Sequence, residues 1–457
     1  MGIKFDELRK VVLFTSPLVV GFLTQKAMQF IDTYMLGWLG PGALAAAVIA
    51  TNIFIMILVF SMGALSVVGV FIVQANAANK PKDVVINLQN GVFLALLLSL
   101  PSMALVWFVP YALVKLAIAP DVLQNIKLLL HALMWGLPGY LLFLVFREYI
   151  SAFFKTRIIL LISAVSLILA AVGNYVLIYG KYGFPALGIA GVGYAGSCVM
   201  WFMFLALFVF SLSSVELKKH LALTTMKFSF SRLKSMLAVG ASSGMLFMLE
   251  GGMFLLAALL MSNFGVNALA AHQIVIQCMN IAYAIPSGLS MAAALLIGHS
   301  VGENDYSKMK RMASICYGLG IAVSLIVSAI FVFAPHALVS IFLKPNCVGY
   351  HEIVMYSISF FAIAAVFQTA DMLQTITNGV LRGFKDTQIP LFISLACYWL
   401  LGIPCAYYLS SYTSLGAKGI WYALGISLAS ASVILLIRLF NKMHLFSMNE
   451  AIKSNPN

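Results

Sequence analysis

Long runs of apolar residues, separated by short polar segments, make up most of this chain. Each run reaches or exceeds about 20 residues, the length that an α-helix needs to cross a hydrocarbon layer about 30 Å thick. Strands of a membrane barrel would instead alternate apolar and polar residues. The pattern predicts an all-α polytopic membrane protein with twelve transmembrane helices, at 11–37, 43–74, 88–118, 128–150, 157–180, 186–214, 236–262, 268–299, 312–343, 352–380, 388–410 and 417–440.

The composition and the distribution of charge agree with this pattern. Hydrophobic residues make up 62% of the chain and charged residues 9%, whereas soluble globular chains carry about 25% charged residues. The net charge of +13 does not indicate a nucleic-acid partner, because the basic residues concentrate in the N-terminus and in every second loop. The alternate loops hold only Lys115, Lys127, Lys181, Lys344 and Lys418. Both termini are therefore predicted to be cytoplasmic, with the basic excess in contact with membrane lipids.

The two halves of the chain resemble each other. Similar segments recur at nearly constant spacing, close to half the chain length, in the pairs 40–49 and 265–274, 188–195 and 416–423, and 154–155 and 384–385. This repetition predicts two six-helix lobes, 1–222 and 223–457, related by a pseudo-two-fold axis along the membrane normal. Transporters built in this way bind substrate between their lobes and expose it alternately to each side. A channel or a membrane enzyme with twelve spans stays open at this point.

Ionisable and amide side chains interrupt the first apolar run. Gln25, Gln29 and Asp32 are spaced i, i+4 and i+7, so they share one face of the predicted helix. An ionisable group at membrane depth is costly and usually faces a protein partner or a water-filled cavity. Lys26 lies on a different face from Asp32, and pairing with an acid, snorkelling and facing an aqueous cleft are all open to it. Pro17 is the candidate hinge, since a bend there would move Asp32.

Two more acids lie deep inside predicted spans, Glu250 in the seventh and Asp371 in the tenth, whereas the others lie in termini, loops or span ends. The polar residues that accompany them on the eighth and tenth spans are Gln277, Asn280, Gln368 and Thr375. Clustered carboxylate, amide and hydroxyl oxygens suit a hard cation such as Na⁺, which Glu250 and Asp371 would hold. A buried carboxylate equally suits a proton carrier. The sequence leaves Na⁺ and H⁺ as alternatives.

The motifs of common enzyme and cofactor sites are missing from the sequence. It has no GxxxxGK[ST] phosphate loop, no HExxH and no clustered histidines. The six cysteines include no CxxC pair, so neither a disulfide framework nor a cysteine metal site is predicted. We therefore expect no enzyme activity and no cofactor apart from the coupling ion. Some of the 23 methionines and 33 phenylalanines are expected to line a pliable pocket for lipophilic organic cations.

Several local motifs together resemble the multidrug and toxic compound extrusion (MATE) family, NorM-type branch, over essentially the whole chain. They are Ser16-Pro17, Asp32-Thr33 with Leu36-Gly37, Leu44-Ala45-Ala46, Gly180-Lys181-Tyr182-Gly183 with Gly188-Ile189-Ala190-Gly191, Ala270-Ala271-His272-Gln273, and Leu381-Arg382-Gly383-Phe384-Lys385-Asp386-Thr387. The resemblance implies a V-shaped pair of six-helix lobes in the cell inner membrane that exports organic cations in exchange for Na⁺ or H⁺.

The resemblance also implies roles for particular residues. Glu250 and Asp371 would form the cation site of the C-terminal lobe. Asp32 would be the key acid of the N-terminal lobe, with Asn174 as a nearby polar partner. Lys26 departs from the family pattern, which usually has a small or neutral residue there, and this departure bears on both the ion coupling and the substrate charge that the resemblance implies for the N-terminal lobe.

Residues and resemblance together predict a secondary active multidrug antiporter that works by alternating access. Its expected partners are small lipophilic, cationic substrates, the coupling cation and membrane lipids, and we expect a monomer. The alternative is a flippase or exporter of a lipid-linked or amphipathic precursor, which should show a cationic central cavity. This sequence instead has three acids, Asp32, Glu250 and Asp371, and a single lysine, Lys26, deep in its predicted spans. A membrane enzyme is a third class, for which no reactive constellation is present.

Overall fold

The structure of the protein is a computed structural model that describes residues 5–115, 119–221, 228–345 and 347–454, with the backbone alone for 449–454. Within these ranges, twelve helices are long and apolar enough to cross a membrane, which confirms the predicted fold class. They are α1 (Phe5–Gly37), α2 (Pro41–Ala77), α3 (Pro81–Leu113), α4 (Pro120–Ala152), α5 (Arg157–Tyr179), α6 (Ile189–Ser213), α7 (Phe230–Phe264), α8 (Val266–Glu303), α9 (Tyr306–Phe333), α10 (Tyr350–Gly383), α11 (Gln388–Ser411) and α12 (Ala417–Met448), the last continuing as helix to Ser454.

Prolines account for the main departures from the predicted spans. The ninth run, predicted at 312–343, ends at Phe333, and a separate short helix spans Pro335–Phe342. Proline lacks the backbone N–H that would continue the first helix, so the chain breaks between them. Helix α8 is interrupted at Tyr283, three residues before Pro286. Helix α11 contains a π-helical stretch at Leu395–Gly402, a feature that often occurs at functional sites.

Two compact units make up the chain. Ser16–Gly244 forms one, called here the N-terminal unit, and Met1–Thr15 with Met245–Asn457 forms the other, the C-terminal unit. Helix α1 therefore changes unit next to Pro17, and α7 changes unit after Gly244. The division predicted at 222/223 falls within 222–227, outside the described residues, and stays a prediction. Lys4 and Lys227, used in the topology prediction, also lie outside them.

In the N-terminal unit, α6 packs against α4 and α5, and α4 packs against α2 and α3. The first part of α7 crosses α2 at a contact lined by glycine. A Cβ atom added at Gly240 would lie 2.5 Å from the Ala64 carbonyl oxygen, and one at Gly63 would lie 2.6 Å from the Gly244 Cα. Only glycine permits this close approach of two helix backbones. These contacts fix the first part of α7 in this unit.

In the C-terminal unit, α10 is the central helix and packs against α8, α9 and α12. Its buried core includes Phe360 and Phe361. The Trp421 ring of α12 stacks on Phe360, with ring centroids 5.3 Å apart. On another side of α10, a side chain at Gly379 would overlap with the Ser290 carbonyl of α8. This packing places the polar stripe of α10 inside the unit.

Equivalent turns of the two halves have the same backbone conformation. Gly40 precedes α2 with φ 109° and ψ 168°, and Gly265 precedes α8 with φ 93° and ψ 170°. Asn79 and Asn304, which follow the same two helices, have φ of 54° and 57°. Positive φ is uncommon for residues other than glycine, so its recurrence at positions that the predicted repeat pairs is specific. The two halves repeat the same local structure.

Candidate cation-coupling site

Two carboxylates lie buried together in the C-terminal unit. Glu250 of α7 and Asp371 of α10 are 8% and 4% exposed, and Asp371 lies within the electrostatic field of Glu250. Glu250 belongs to the part of α7 that follows the change of unit, and Asp371 belongs to the central helix. The structure thus brings together the two acids that the sequence predicts as a cation site. Two carboxylates at close range repel each other unless a cation or a proton lies between them.

A tyrosine that the pattern of polar residues does not single out completes one side of this pair. The Tyr283 hydroxyl donates a hydrogen bond to Glu250 Oε1 at 3.1 Å. It also lies beside Thr375 and in the field of Asp371. Tyr283 occupies the interruption of α8, where Pro286 cannot donate a helix hydrogen bond. Pro286, three residues after Tyr283, indicates the interruption in the sequence but not that the tyrosine meets the acids.

Several polar oxygen atoms around the acids have no hydrogen-bond partner among the described residues. They are Asp371 Oδ1, Gln368 Oε1 and Asn378 Oδ1 of α10, whereas Thr375 Oγ1 lies within reach of the Tyr283 hydroxyl and the Tyr398 hydroxyl of α11 lies within reach of Ser394. Tyr398 also lies in the field of both carboxylates, and the sequence pattern does not single it out either. Buried polar atoms nearly always have partners, so a concentration of unpaired oxygens needs an explanation. Carboxylate, amide and hydroxyl oxygens together suit a small hard cation.

The donor set does not suit a transition metal. No group of three or more His, Cys, Asp and Glu side chains able to hold a metal ion occurs in the part of the chain that the structure describes. Two carboxylates surrounded by neutral oxygens match the needs of Na⁺, and the same carboxylates match those of a proton. The geometry leaves these two ions as alternatives, as the sequence does.

The two glycines that follow Glu250 have different surroundings. A Cβ atom at Gly252 would lie 2.9 Å from Cζ2 of Trp399, whereas Gly251 has nothing within 4 Å of that position. The Trp399 indole N–H donates to the Leu249 carbonyl at 3.1 Å. Gly252 therefore allows a tryptophan of α11 to lie close against α7 beside the buried acid. Gly251 leaves open space.

The polar residues predicted on α8 lie elsewhere. Gln277 and Asn280 are exposed, as is Gln273 one turn earlier, whereas Gln368 and Thr375 are buried on α10 with Asp371. The structure thus divides the predicted supporting residues into a buried set around the acids and an exposed set on α8.

The N-terminal unit holds its deep acid in a different way. The Asn174 side-chain N–H of α5 donates to Asp32 Oδ1 at 2.6 Å. Asn174 is buried, Asp32 is half-buried, and so are Gln25 and Gln29 on the same helix. Lys26 is exposed. Pro17 lies inside α1, which remains helical on both sides of it. The structure places Asn174 at Asp32 and gives Lys26 separate surroundings.

A fourth acid, Glu148, is also buried, one turn before the end of α4. Arg147 donates to Glu148 Oε1 at 3.2 Å, and its guanidinium lies 5.7 Å from the centre of the Phe22 ring. In the other unit, the Arg382 guanidinium lies 5.7 Å from the Phe247 ring. The sequence placed Glu148 among the span ends, and its burial there follows from this pairing. Glu148 thus has a basic partner in the neighbouring residue, which neither Glu250 nor Asp371 has among the described residues.

Known proteins resemble this chain over most of its length. The MatE family model matches residues 17–176 and 243–408. A probable multidrug resistance protein NorM of Pseudomonas aeruginosa is 31% identical over 432 residues, which cover 93% of this chain and 88% of that protein. A probable multidrug resistance protein NorM of Synechocystis is 32% identical and covers 94% of each. A crystal structure of MATE in the bent conformation matches with a TM-score of 0.88 at 18% identity, over 98% of this chain and 97% of that chain.

The two matched segments cover more than half of the chain and include Asp32, Glu250 and Asp371. The resemblance predicted from the motifs is therefore confirmed. The chain belongs to the MatE family, the multidrug and toxic compound extrusion family of membrane transporters.

Proposed function

We propose that this protein is a secondary antiporter that exports lipophilic organic cations in exchange for Na⁺ or H⁺. The observation that carries the proposal is the buried pair of Glu250 and Asp371, surrounded by oxygens without protein partners among the described residues. The names of the relatives, which are multidrug resistance proteins, support drug-like substrates. Transport of this kind requires no catalytic residues, because the ion gradient supplies the free energy.

Coupling in this scheme requires only a difference in ion affinity between two conformations. The ion binds the carboxylate pair more tightly in one of them, and binding shifts the population toward that conformation. Substrate that binds the other conformation is released as the shift occurs. Neutralisation of Glu250 and Asp371 by Na⁺ or H⁺ removes their mutual repulsion and is therefore the step that drives the exchange.

The experiment that tests the proposal is transport in proteoliposomes. Vesicles containing the purified full-length chain are loaded with tetraphenylphosphonium, a lipophilic cation, and receive an inward Na⁺ gradient or an inward H⁺ gradient, tested separately. One of the two gradients should accelerate efflux above that of protein-free vesicles. Efflux that responds to neither gradient would contradict the antiport proposal.

We also propose a multi-pass monomer in the cell inner membrane with both termini in the cytoplasm. The distribution of lysine and arginine among the loops supports this orientation. Lys80 and Tyr182 lie in loops that are predicted on opposite sides of the membrane, and each is replaced by cysteine in turn. In a chain whose six native cysteines, which include the exposed Cys347, are replaced by serine, a membrane-impermeant maleimide added to intact cells should label Tyr182→Cys and leave Lys80→Cys unlabelled. The reverse result would overturn the topology.

A further inference from the structure

Lys26 is a charged side chain in the middle of α1 that the proposed coupling site does not use. It is exposed, and among the described residues it has no ion pair and no hydrogen bond. Asp32 does not neutralise it, because Asp32 lies about 240° further around the helix and accepts its hydrogen bond from Asn174. Within the described part of the chain, the ammonium group therefore has no counter-charge.

Three aromatic rings continue the same exposed strip of α1. Phe30, Tyr34 and Trp38 follow Lys26 at intervals of four residues and are 71%, 60% and 71% exposed. The rings of Phe30 and Tyr34 stack with centroids 6.4 Å apart, and Tyr34 meets Trp38 edge-on at 6.2 Å. Lys26 and these rings, the Lys26 strip, form a cationic head followed by a continuous aromatic surface.

The depth of Lys26 indicates that the strip does not simply face lipid. Trp38 follows the end of α1, where an aromatic residue suits the membrane interface. Lys26 lies twelve residues earlier, about 18 Å along the helix, which is near the middle of a hydrocarbon layer about 30 Å thick. A lysine that faces lipid at this depth is costly, and such residues face a water-filled cavity or a partner. We therefore expect the exposed Lys26 side chain to face water and dissolved molecules.

The equivalent strip of the C-terminal unit has no such chemistry. In the register that pairs Gly40 with Gly265, Lys26 corresponds to Gly251, and Phe30 and Tyr34 correspond to Leu255 and Leu259. These leucines are also exposed, and Gly251 borders open space. The repeat thus preserves the exposed strip but places a cation and aromatic rings on one copy only. Side-chain chemistry, and not exposure, distinguishes the two strips.

We propose that the Lys26 strip binds the anionic group of an aromatic substrate, with a carboxylate or sulfonate on Lys26 and the flat ring on Phe30 and Tyr34. Charge complementarity selects the anion, because hydrogen bonds between an ammonium and an anionic oxygen are about twice as strong as neutral ones. Offset or edge-on ring packing selects the aromatic body. The inference rests on the proposed transport function and widens its substrates from cations to aromatic acids and zwitterions.

The test is equilibrium binding to the full-length chain in phosphatidylcholine nanodiscs, without any ion gradient. The probes are naphthoate, the matched cation naphthyltrimethylammonium, and the non-aromatic anion cyclohexanecarboxylate. Lys26→Gln should weaken naphthoate binding by about tenfold or more, the loss expected for one charge-assisted hydrogen bond. It should leave the affinity for naphthyltrimethylammonium unchanged or increase it.

Matched variants separate the charge from the rings and from the fold. Lys26→Arg keeps the positive charge and should retain naphthoate binding. Phe30→Leu should weaken naphthoate while leaving cyclohexanecarboxylate unaffected. Lys181→Gln removes an exposed lysine from the loop between α5 and α6 and should change nothing. Equal naphthoate affinities for the wild type and Lys26→Gln would overturn the proposal, as would an absence of naphthoate binding to the wild type.

A lipid headgroup is the competing occupant of Lys26. When phosphatidylglycerol replaces part of the phosphatidylcholine, surface repulsion acts equally on the wild type and on Lys26→Gln. Their difference in naphthoate affinity should therefore persist. If phosphatidylglycerol abolishes that difference, Lys26 binds anionic lipid and the proposal fails. Because no gradient is applied, this outcome is independent of whether Na⁺ or H⁺ drives efflux, which tests the proposed function separately.

Discussion

The two units carry acids on equivalent helices of the repeat but in different surroundings. In the N-terminal unit, Asp32 of α1 accepts a hydrogen bond from the buried Asn174. In the C-terminal unit, Asp371 lies in the field of Glu250 of α7, and oxygens around the pair lack partners among the described residues. In the register of the repeat, Glu250 corresponds to Gln25 and Asp32 to Ala257. The repeat preserves helices and turns, whereas each unit has its own polar chemistry.

This contrast indicates which unit is equipped to bind an ion. The amide of Asn174 gives Asp32 a donor from the protein itself, so that carboxylate does not depend on a cation for a partner. Glu250 and Asp371 repel each other, and only Tyr283 donates to Glu250 among the described residues. A cation or proton resolves this repulsion. We therefore propose ion binding in the C-terminal unit and a role for Asp32 in substrate release or protonation.

Neutralising the acid pair should have the strongest consequence for transport. Glu250→Gln and Asp371→Asn should each lower ion-driven efflux of tetraphenylphosphonium by at least about tenfold, because each removes a charged ligand of the cation. The measurement is the proteoliposome assay under the gradient that drives the wild type. Asp121→Asn, at the exposed start of α4, is the matched control and should behave as wild type. Full activity of both acid variants would remove the proposed difference between the units.

Substitution of Gly252, the glycine close to Glu250, should have a more moderate effect, and on stability. Gly252→Ala places a Cβ atom 2.9 Å from Cζ2 of Trp399, so the indole ring must move from α7. Overpacking of this kind costs about 1–3 kcal/mol in stability, and loss of the indole hydrogen bond to Leu249 should accompany it. Thermal unfolding in detergent measures the change. Gly251→Ala, the neighbouring substitution into open space, should have no comparable cost, and equal losses in the two variants would contradict this packing.

The Asp32–Asn174 hydrogen bond should contribute about 0.5–2 kcal/mol, the range for interhelical and buried hydrogen bonds. Asn174→Leu removes the donor to Asp32 and should destabilise the protein by this amount in thermal unfolding. In the double variant with Asp32→Asn, the acceptor charge is gone, so the second substitution should cost less than it does alone. Strictly additive losses would show that the two residues are not coupled.

The smallest loss of stability should follow from removing either of two ion pairs that occupy equivalent places in the two units. Arg311 donates to Glu7 at 3.2 Å in the C-terminal unit, and Arg232 lies 3.4 Å from Asp83 in the N-terminal unit. Both pairs are partly exposed, so Glu7→Gln and Asp83→Asn should each cost at most about 1 kcal/mol. High salt should reduce both losses. A loss of several kcal/mol in one unit only would reveal a further difference between them.

Much of the architecture was predictable because membrane helices follow local rules. Apolar length and proline and glycine breaks indicated the twelve helices, and basic residues indicated the orientation that the maleimide experiment tests. Pro335 shows the limit of this approach. The apolar run continues across it, so hydropathy alone predicts one helix where the backbone forms two.

The site was predictable in its acids but not in its tyrosines. Glu250 and Asp371 stand out because charged residues are rare at membrane depth. Tyr283 and Tyr398 have no such contrast with their neighbours, since the chain contains 18 tyrosines. Their relevance comes from the packing of α8 and α11 beside the acids, which brings together residues far apart in the chain. Glu148 illustrates the opposite case, an acid whose burial depends on its pairing with Arg147.

Local properties of the chain specified the class of the protein, the number of its spans, its repeat and the acids at membrane depth. The class, the spans and the acids depend on the cost of placing backbone or charge in hydrocarbon, which acts on every residue separately. The repeat is visible directly as similar segments about half a chain apart. Tertiary packing selected which polar groups meet. It places the Asn174 amide at Asp32 and brings Glu250 and Asp371 together with unpaired oxygens. It also leaves Lys26 exposed on the same strip as three aromatic rings. Those differences depend on contacts between helices distant in sequence, which no local pattern specifies.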